Sequence, residues 1–213
     1  METRVRIKER LKNTNLYRES LKWRILNGWR RRGFSSPSPF FVKHECLLRN
    51  GVSNATWVET GTYFGQTTEF LSSHASMVYS IEPEVKLYSD AKRRFALKPN
   101  VEIINGLSED ILPVLLPSLS GNVNFWLDGH YSAGVTFRGP QETPVLDELD
   151  CISQNMHRFD EFCVLIDDVR CFNPNLEEYS AYPALGDLVD WAATNGLFWG
   201  IEQDIFFASR RSL

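Results

Sequence analysis

The chain has 213 residues, of which 43% are hydrophobic, and a formal net charge of −4 at pH 7. This length and apolar content suffice for one domain with a full core. No apolar run approaches the length of a membrane span, and the N-terminus lacks the apolar core of a signal peptide. The four cysteines have no C-x-x-C spacing, which favours buried free thiols in a reducing cytoplasm.

Positive charge is concentrated in an N-terminal arm, residues 1–34. The arm carries eleven of the 23 Lys and Arg residues against three acids, a net charge of +8, which leaves −12 for the rest of the chain. Such an arm suits docking on the acidic body, self-association or peripheral contact with an anionic membrane. Nucleic acid is disfavoured because the following domain is acidic. The Ser/Pro-rich linker at 35–39 predicts two parts, an arm with linker at 1–39 and a domain at 40–213.

Helical and strand patterns alternate from residue 40 onwards. Helices are predicted over 40–50, 66–73, 84–96, 108–116 (capped by Ser108), 144–154 and 183–195. Strands are predicted over 56–62, 77–82, 101–105, 123–128, 162–167, 198–202 and 205–209. Short apolar strands that alternate with helices are typical of a parallel sheet covered on both faces. We therefore predict an α/β fold with a Rossmann-like, doubly wound, mostly parallel sheet of about seven strands, ending in an antiparallel hairpin.

A glycine-rich turn, Glu-Thr-Gly-Thr-Tyr-Phe-Gly at 59–65, joins the first strand to a helix. In open α/β sheets, nucleotides bind at such turns. Its two glycines are three residues apart, unlike the G-x-G-x-x-G of dinucleotide sites. Glu59 would repel a pyrophosphate but attract the cationic sulfonium of S-adenosylmethionine (SAM). Glu82, which ends the second strand, is placed to accept hydrogen bonds from ribose hydroxyls. The predicted cofactor-binding residues are Glu59, Thr60, Gly61, Tyr63, Gly65, Glu82, Ser108 and Asp128.

Two further strands end in acidic residues. The segment Phe-Trp-Leu-Asp-Gly-His-Tyr-Ser at 125–132 contains Asp128 and His130, and Val-Leu-Ile-Asp-Asp at 164–168 ends in Asp167 and Asp168. The carboxyl ends of parallel strands share one edge of a sheet, so the three carboxylates form an oxygen-rich set suited to Mg²⁺. His130 is a candidate general base because imidazole titrates near neutrality.

In this order, and over roughly residues 40–209, these motifs resemble those of class I SAM-dependent methyltransferases. They are most similar to the metal-dependent sugar O-methyltransferases of the macrocin O-methyltransferase (TylF-type) group and to related bacterial methyltransferases. The resemblance implies Mg²⁺ bound by Asp128, Asp167 and Asp168. It also implies Glu59, Gly61 and Gly65 around the methionine end of SAM, with Glu82 on the ribose.

The reaction that this resemblance implies is methylation of a hydroxyl on a sugar, a glycolipid head group or another small metabolite. Asp128 and His130 are the predicted catalytic residues, and His130 stands where the sugar methyltransferases have a second aspartate. That difference puts the metal requirement in doubt, because a histidine needs less metal assistance to deprotonate a hydroxyl.

Other interpretations stay open. The enzyme could be a metal-independent methyltransferase whose aspartates only orient groups, or the chain could be a SAM-binding scaffold recruited by its basic arm. A dehydrogenase is disfavoured by Glu59 and the glycine spacing. Asp168 would serve equally well as the cap of the following turn. No role is predicted for the remaining histidines, His44, His74 and His157.

Overall fold

The structure is a computed structural model that describes residues 15–129 and 143–210, with side chains from residue 19 onwards. Helices in this part of the chain are α1 (Asn15–Arg31), α2 (Phe40–Asn50), α3 (Gln66–Leu71), α4 (Val85–Arg94), α5 (Ser108–Leu115), α6 (Val145–Asn155) and α7 (Leu185–Thr194). The strands are β1 (Thr56–Thr60), β2 (Met77–Glu82), β3 (Val101–Asn105), β4 (Gly121–Leu127), β5 (Phe159–Ile166), β6 (Phe198–Glu202) and β7 (Ile205–Arg210).

The seven strands form one sheet in the order β3-β2-β1-β4-β5-β7-β6. Strands β1 to β5 are parallel, whereas β7 runs antiparallel between β5 and β6. This confirms the predicted Rossmann-like sheet and its closing hairpin. The chain leaves β1 towards β2 on one side and later returns to β4 on the other, so the strand order reverses between β1 and β4. Ligands of open α/β sheets bind at such a switch point, outside the carboxyl ends of the strands.

Side chains that alternate along the strands build a core on each face of the sheet. Trp57 and Trp126 pack with Leu47 of α2 and Leu71 of α3 on one face. The residues adjacent to these tryptophans on the two strands point to the opposite face, because side chains alternate along a strand. The opposite core contains these strand residues with helices α5 to α7, for example Val58, Phe125, Leu112, Leu149 and Leu188. Both tryptophans are therefore core residues, and the sheet is covered on both sides.

Several predicted element ends differ from the structure, and two of them concern Ser108 and strand β5. Ser108 is the first residue of α5 rather than its cap, which is Leu107, and no side chain caps this helix. The Ser108 side chain is buried and turned towards the protein interior, so it is not available to the helix end. Strand β5 begins at Phe159, three residues earlier than predicted, because buried Phe159 extends the ladder opposite Gly121.

Helix α1 is joined to the domain by a compact turn. The Trp29 ring is buried, contacts Phe34 at a centroid distance of 5.0 Å, and donates a hydrogen bond from Nε1 to the Ser35 carbonyl. Across the described residues, no helix has both the length and the apolar character needed to cross a membrane. The four cysteines are free and buried, as predicted: Cys46, Cys151, Cys163 and Cys171.

Candidate active site

Main-chain hydrogen bonds align the ends of three central strands. The Asp128 N–H donates to the Thr60 carbonyl at 3.2 Å, and the Asp167 N–H donates to the Leu127 carbonyl at 3.1 Å. These bonds continue the parallel ladders one residue beyond β1, β4 and β5. The predicted residues Thr60, Asp128 and Asp167 are therefore brought to one edge of the sheet, at the switch point.

The glycine-rich turn folds over the end of β2. The N–H groups of Gly61 and Thr62 both donate to the Ile81 carbonyl, at 3.0 and 3.2 Å. Gly61 has φ +87°, and a Cβ atom there would lie 2.5 Å from the Asp128 carbonyl oxygen. Only glycine tolerates both conditions without strain. Gly61 thus allows the turn after β1 to pass close to the end of β4.

Gly65 has a comparable role at the start of α3. It is the residue that precedes the helix, with φ +69°, and a Cβ there would lie 2.8 Å from the Phe95 ring. The two glycines of the motif are therefore required by the packing of the turn against its own chain. The same turn leaves the Tyr63 side chain 44% exposed beside Phe64.

Glu82 ends β2 with its carboxylate held by two backbone groups. Oε2 accepts from the Tyr63 N–H at 2.7 Å, and Oε1 accepts from the Glu84 N–H at 2.9 Å. Burial raises the pKa of Glu82, and these two hydrogen bonds oppose the rise. A carboxylate offers about four acceptor positions, so each oxygen retains capacity for one more donor. The arrangement suits two neighbouring hydroxyls such as those of a ribose.

Glu59 lies beneath the turn and is 1% exposed. Its Oε2 accepts hydrogen bonds from the hydroxyls of Thr68 and Ser80, both at 2.5 Å. Loss of water contact raises the pKa of Glu59 to about 7 against the effect of these two bonds. Glu59 therefore ties β1 to α3 and β2. Its contact with the methionine end of SAM stays a prediction.

The three predicted metal ligands do not form a shared cage. Lys43 of α2 places Nζ 2.6 Å from both carboxylate oxygens of Asp167 and 3.1 Å from Oδ1 of Asp168. In the described part of the chain, no group of three or more His, Cys, Asp or Glu side chains is arranged to hold a metal ion. The carboxylates as they stand therefore do not fit the Mg²⁺ site implied by the sequence, because an ammonium already contacts two of them.

Electrostatics in this cluster are dominated by burial and by neighbouring acids. Desolvation, followed by the charges of Asp167 and Asp168, raises the pKa of Asp128 well above its ordinary value. Desolvation raises the pKa of Asp167 to about 6, although Lys43 opposes it. Desolvation acts to raise the pKa of Asp168 as well. The positive charges of Lys43 and Arg170 outweigh this effect, so the pKa of Asp168 is lowered.

A pocket of about 190 Å³ opens beside these acids. Asp128 and Asp167 line one side, and Phe40, Lys43 and His44 of α2 line another. Burial, with a smaller effect of His74, lowers the pKa of His44 to about 4, so this ring is neutral at physiological pH. His44, for which no role was predicted, thus lines the pocket, and its ring stacks on Phe70 with the ring centroids 4.1 Å apart.

Glu148, like Lys43 and His44, lies near the predicted site residues although no role was predicted for it from the sequence. It is 1% exposed on α6, and desolvation raises its pKa to about 7, whereas the hydroxyls of Ser108 and Thr60 lower it. A Cβ built on Gly129 would lie 3.3 Å from Thr60 Oγ1 and 3.7 Å from Glu148 Oε1, so both groups flank the loop after β4. This places the predicted residues Thr60 and Ser108 around a buried carboxyl group.

Helical spacing carries the signal that would have found the missed residues. Lys43 lies three and four residues before Cys46 and Leu47, which are buried on α2. Glu148 lies three residues after Val145 and four before Ile152, which are buried on α6. A charged residue on the apolar stripe of a helix is forced inward, where it needs a partner or a function.

The predicted base His130 lies outside the described residues. Its neighbours Asp128 and Gly129 lie at the sheet edge.

Comparisons with known proteins identify the fold. No protein-family model matches the chain, and no curated protein matches its sequence. Among solved structures, the 23S rRNA methyltransferase ErmE superposes with a TM-score of 0.54 at 13% identity, covering 84% of this chain and 70% of ErmE. The N-methyltransferase NodS from Bradyrhizobium japonicum WM9, in complex with S-adenosyl-l-homocysteine (SAH), gives 0.51 at 13% identity over 82% of this chain and 88% of NodS. The chain thus has the fold of SAM-dependent methyltransferases.

Proposed function

We propose that the chain is a SAM-dependent methyltransferase that methylates a hydroxyl group of a small acceptor. The observation that carries this proposal is the junction of the glycine-rich turn with the end of β4. Gly61 passes so close to the Asp128 carbonyl that the predicted cofactor-binding turn and the predicted catalytic segment share one edge of the sheet. Glu82, held by the Tyr63 and Glu84 N–H groups, supports binding of a ribose at the same edge.

The cofactor would lie along this edge from Glu82 towards Asp128. The ribose hydroxyls would donate to the free acceptor positions of Glu82, and the sulfonium would approach the acids at the ends of β4 and β5. The fold shared with NodS, whose structure contains SAH, supports a cofactor of this type. Most of the rate acceleration would come from holding the sulfonium methyl and the acceptor oxygen in line.

Asp128 and His130 would act on the acceptor. Asp128 lines the pocket, so its carboxyl group is placed to hydrogen-bond the acceptor hydroxyl. His130, two residues later, would take the proton as the new O–CH₃ bond forms and the S–CH₃ bond of SAM breaks. SAH and the methyl ether leave as products.

A sugar or similar polyhydroxylated ring is the acceptor that the motif resemblance favours. The pocket of about 190 Å³ combines an aromatic wall, Phe40 and His44, with the polar groups Lys43, Asp128 and Asp167. Polar groups beside aromatic faces suit a ring that carries several hydroxyls. The metal-assisted form of the reaction is expected from the resemblance alone, whereas the Lys43 contacts favour the metal-independent form.

Calorimetric titration with SAH, in the presence of Mg²⁺ and again with a chelator, tests the cofactor assignment. We expect micromolar binding in both conditions. An absence of binding in both would refute the methyltransferase proposal and favour a scaffold recruited by the arm at 1–34.

Transfer of a labelled methyl group from SAM to a panel of sugars, phenols and amines tests the acceptor class. Asp128→Asn should lower the turnover of hydroxylated acceptors about 100-fold, because the acceptor hydroxyl loses the carboxylate that positions it for attack. Asp190→Asn, on the exposed side of α7, is the matched control and should retain full turnover. Methylation of amines alone would replace O-methylation by N-methylation.

A further inference from the structure

Lys43 occupies an unusual position for a lysine. It lies on the inward side of α2, and only 15% of its side chain is exposed. Its Nζ reaches across 124 residues of sequence to Asp167 at 2.6 Å and contacts Asp168 at 3.1 Å. Lysines are rarely buried without a counter-charge, because their ammonium is strongly hydrated. The two aspartates at the end of β5 supply this counter-charge.

The same aspartates also accept hydrogen bonds from other donors. Oδ1 of Asp167 also accepts from the Asp168 N–H at 2.8 Å. Oδ1 of Asp168 also accepts from Arg170 Nη1 at 2.7 Å, and Arg170 contacts Asp204 in turn. Two cations, Lys43 and Arg170, therefore contact the carboxylates at the end of β5, and Arg170 is shared with Asp204. A divalent ion there would have to displace Lys43 and approach Arg170.

Metal geometry adds a second obstacle. Mg²⁺ requires near-octahedral oxygen ligands at about 2.0–2.1 Å. An ammonium group instead donates hydrogen bonds to oxygens at N···O distances of about 2.6–3.1 Å, and its three N–H groups point at separate oxygens. The Lys43 distances are of this second kind, and both oxygens of Asp167 point at Nζ.

We propose that Lys43 is the resident cation of this site and takes the place of a divalent metal beside Asp128. Its ammonium holds Asp167 and Asp168 at the pocket edge and supplies the positive charge that faces the acceptor. The chain then binds its cofactor and acceptor without a divalent ion. This inference rests on the proposed methyltransferase function, because it assigns Lys43 as the positioning residue of that same site.

Binding of Mn²⁺, followed by electron paramagnetic resonance on the full chain with and without SAH, tests the inference directly. The wild-type protein should bind no Mn²⁺ specifically. Lys43→Met should create a site for Mn²⁺ that is at least about tenfold tighter than any wild-type binding, because the acids lose their counter-charge. Asp167→Asn, combined with Lys43→Met, should abolish that site. Lys43→Arg keeps the charge and should behave as the wild type.

Lys86→Met is the matched control, because Lys86 is exposed on α4 and contacts no acid of the site. Thermal unfolding and SAH titration of each variant establish that the fold and the cofactor site persist. One Mn²⁺ bound per wild-type chain and lost in Asp167→Asn would overturn the proposal. Equal Mn²⁺ binding by Lys43→Met and the wild type would overturn it as well.

The two proposals fail in different measurements. If the methyltransferase proposal is wrong, the wild-type protein will not bind SAH, whatever the result of the Mn²⁺ measurement. If only the Lys43 proposal is wrong, the wild-type protein will bind SAH normally, but it will also bind Mn²⁺ and its turnover will be sensitive to a chelator.

Discussion

Replacing Glu148 by glutamine should change how the stability of the fold depends on pH. The pKa of Glu148 is about 7 in the folded chain against an ordinary value of 4.5. A carboxyl group with a raised pKa binds its proton more tightly in the folded state, so the protein loses stability as pH rises from about 4.5 to about 7. Glutamine has nearly the same shape, stays neutral, and remains beside the hydroxyls of Ser108 and Thr60.

The size of the effect follows from the pKa difference. At about 1.4 kcal/mol for each pH unit, full ionisation of Glu148 costs the folded state about 3 kcal/mol. Part of this cost is already present at pH 5, so the advantage of Glu148→Gln over the wild type should grow by about 2–3 kcal/mol between pH 5 and pH 8. Glu59 and Asp128 also have raised pKa values, but they are unchanged in both proteins and cancel in the comparison.

Urea unfolding, followed by tryptophan fluorescence from pH 5 to pH 8, measures this difference. Asp150→Asn is the matched control, because Asp150 lies on the same helix α6 with an exposed side chain. Its stability relative to the wild type should not vary with pH. If the wild-type and Glu148→Gln curves ran parallel over this range, Glu148 would not be a protonated group of the interior, and the electrostatic reasoning would be wrong.

Three other measurements test the proposed cofactor site at the carboxyl ends of the strands. Gly61→Ala should destabilise the fold by about 2–3 kcal/mol, because it places a Cβ against the Asp128 carbonyl at a positive φ, whereas Gly186→Ala, with open space around it, should be neutral or stabilising in a thermal melt. Glu82→Gln should weaken SAH binding in calorimetry by about tenfold or more, since one acceptor oxygen becomes a donor that faces the Tyr63 N–H; unchanged affinity would remove Glu82 from the ribose site. SAH at about 100 times its dissociation constant should stabilise the wild type by about 2.7 kcal/mol and raise Tm by roughly 5–10 °C, and a Tm that ignores SAH would contradict the proposed function.

Local sequence patterns determined the fold. Apolar strands of five to eight residues, separated by amphipathic helices, permit few arrangements other than a sheet covered on both faces. The acids Glu59, Glu82, Asp128 and Asp167 lie at or just after the ends of apolar strands, and parallel strands end at one edge. Their common location could therefore be predicted without knowing any side-chain direction. The ends of individual elements were predicted less accurately than their order. The starts of β5 and α5, at Phe159 and Ser108, depend on burial of these residues rather than on local propensity.

Only the tertiary structure decided which of these groups contact each other. Lys43 and Asp167 are 124 residues apart in the chain, and although helical spacing predicts that Lys43 faces inward, nothing in the sequence identifies Asp167 as its partner. The direction of the Glu59 carboxylate, towards Thr68 and Ser80, likewise depends on how α3 packs on the sheet. Strand ends fix where backbone lies, whereas helix packing fixes which charges meet. The sequence thus determined the edge at which the acidic residues gather, and the packing of α2 against that edge placed an ammonium where the motif alone predicted a metal.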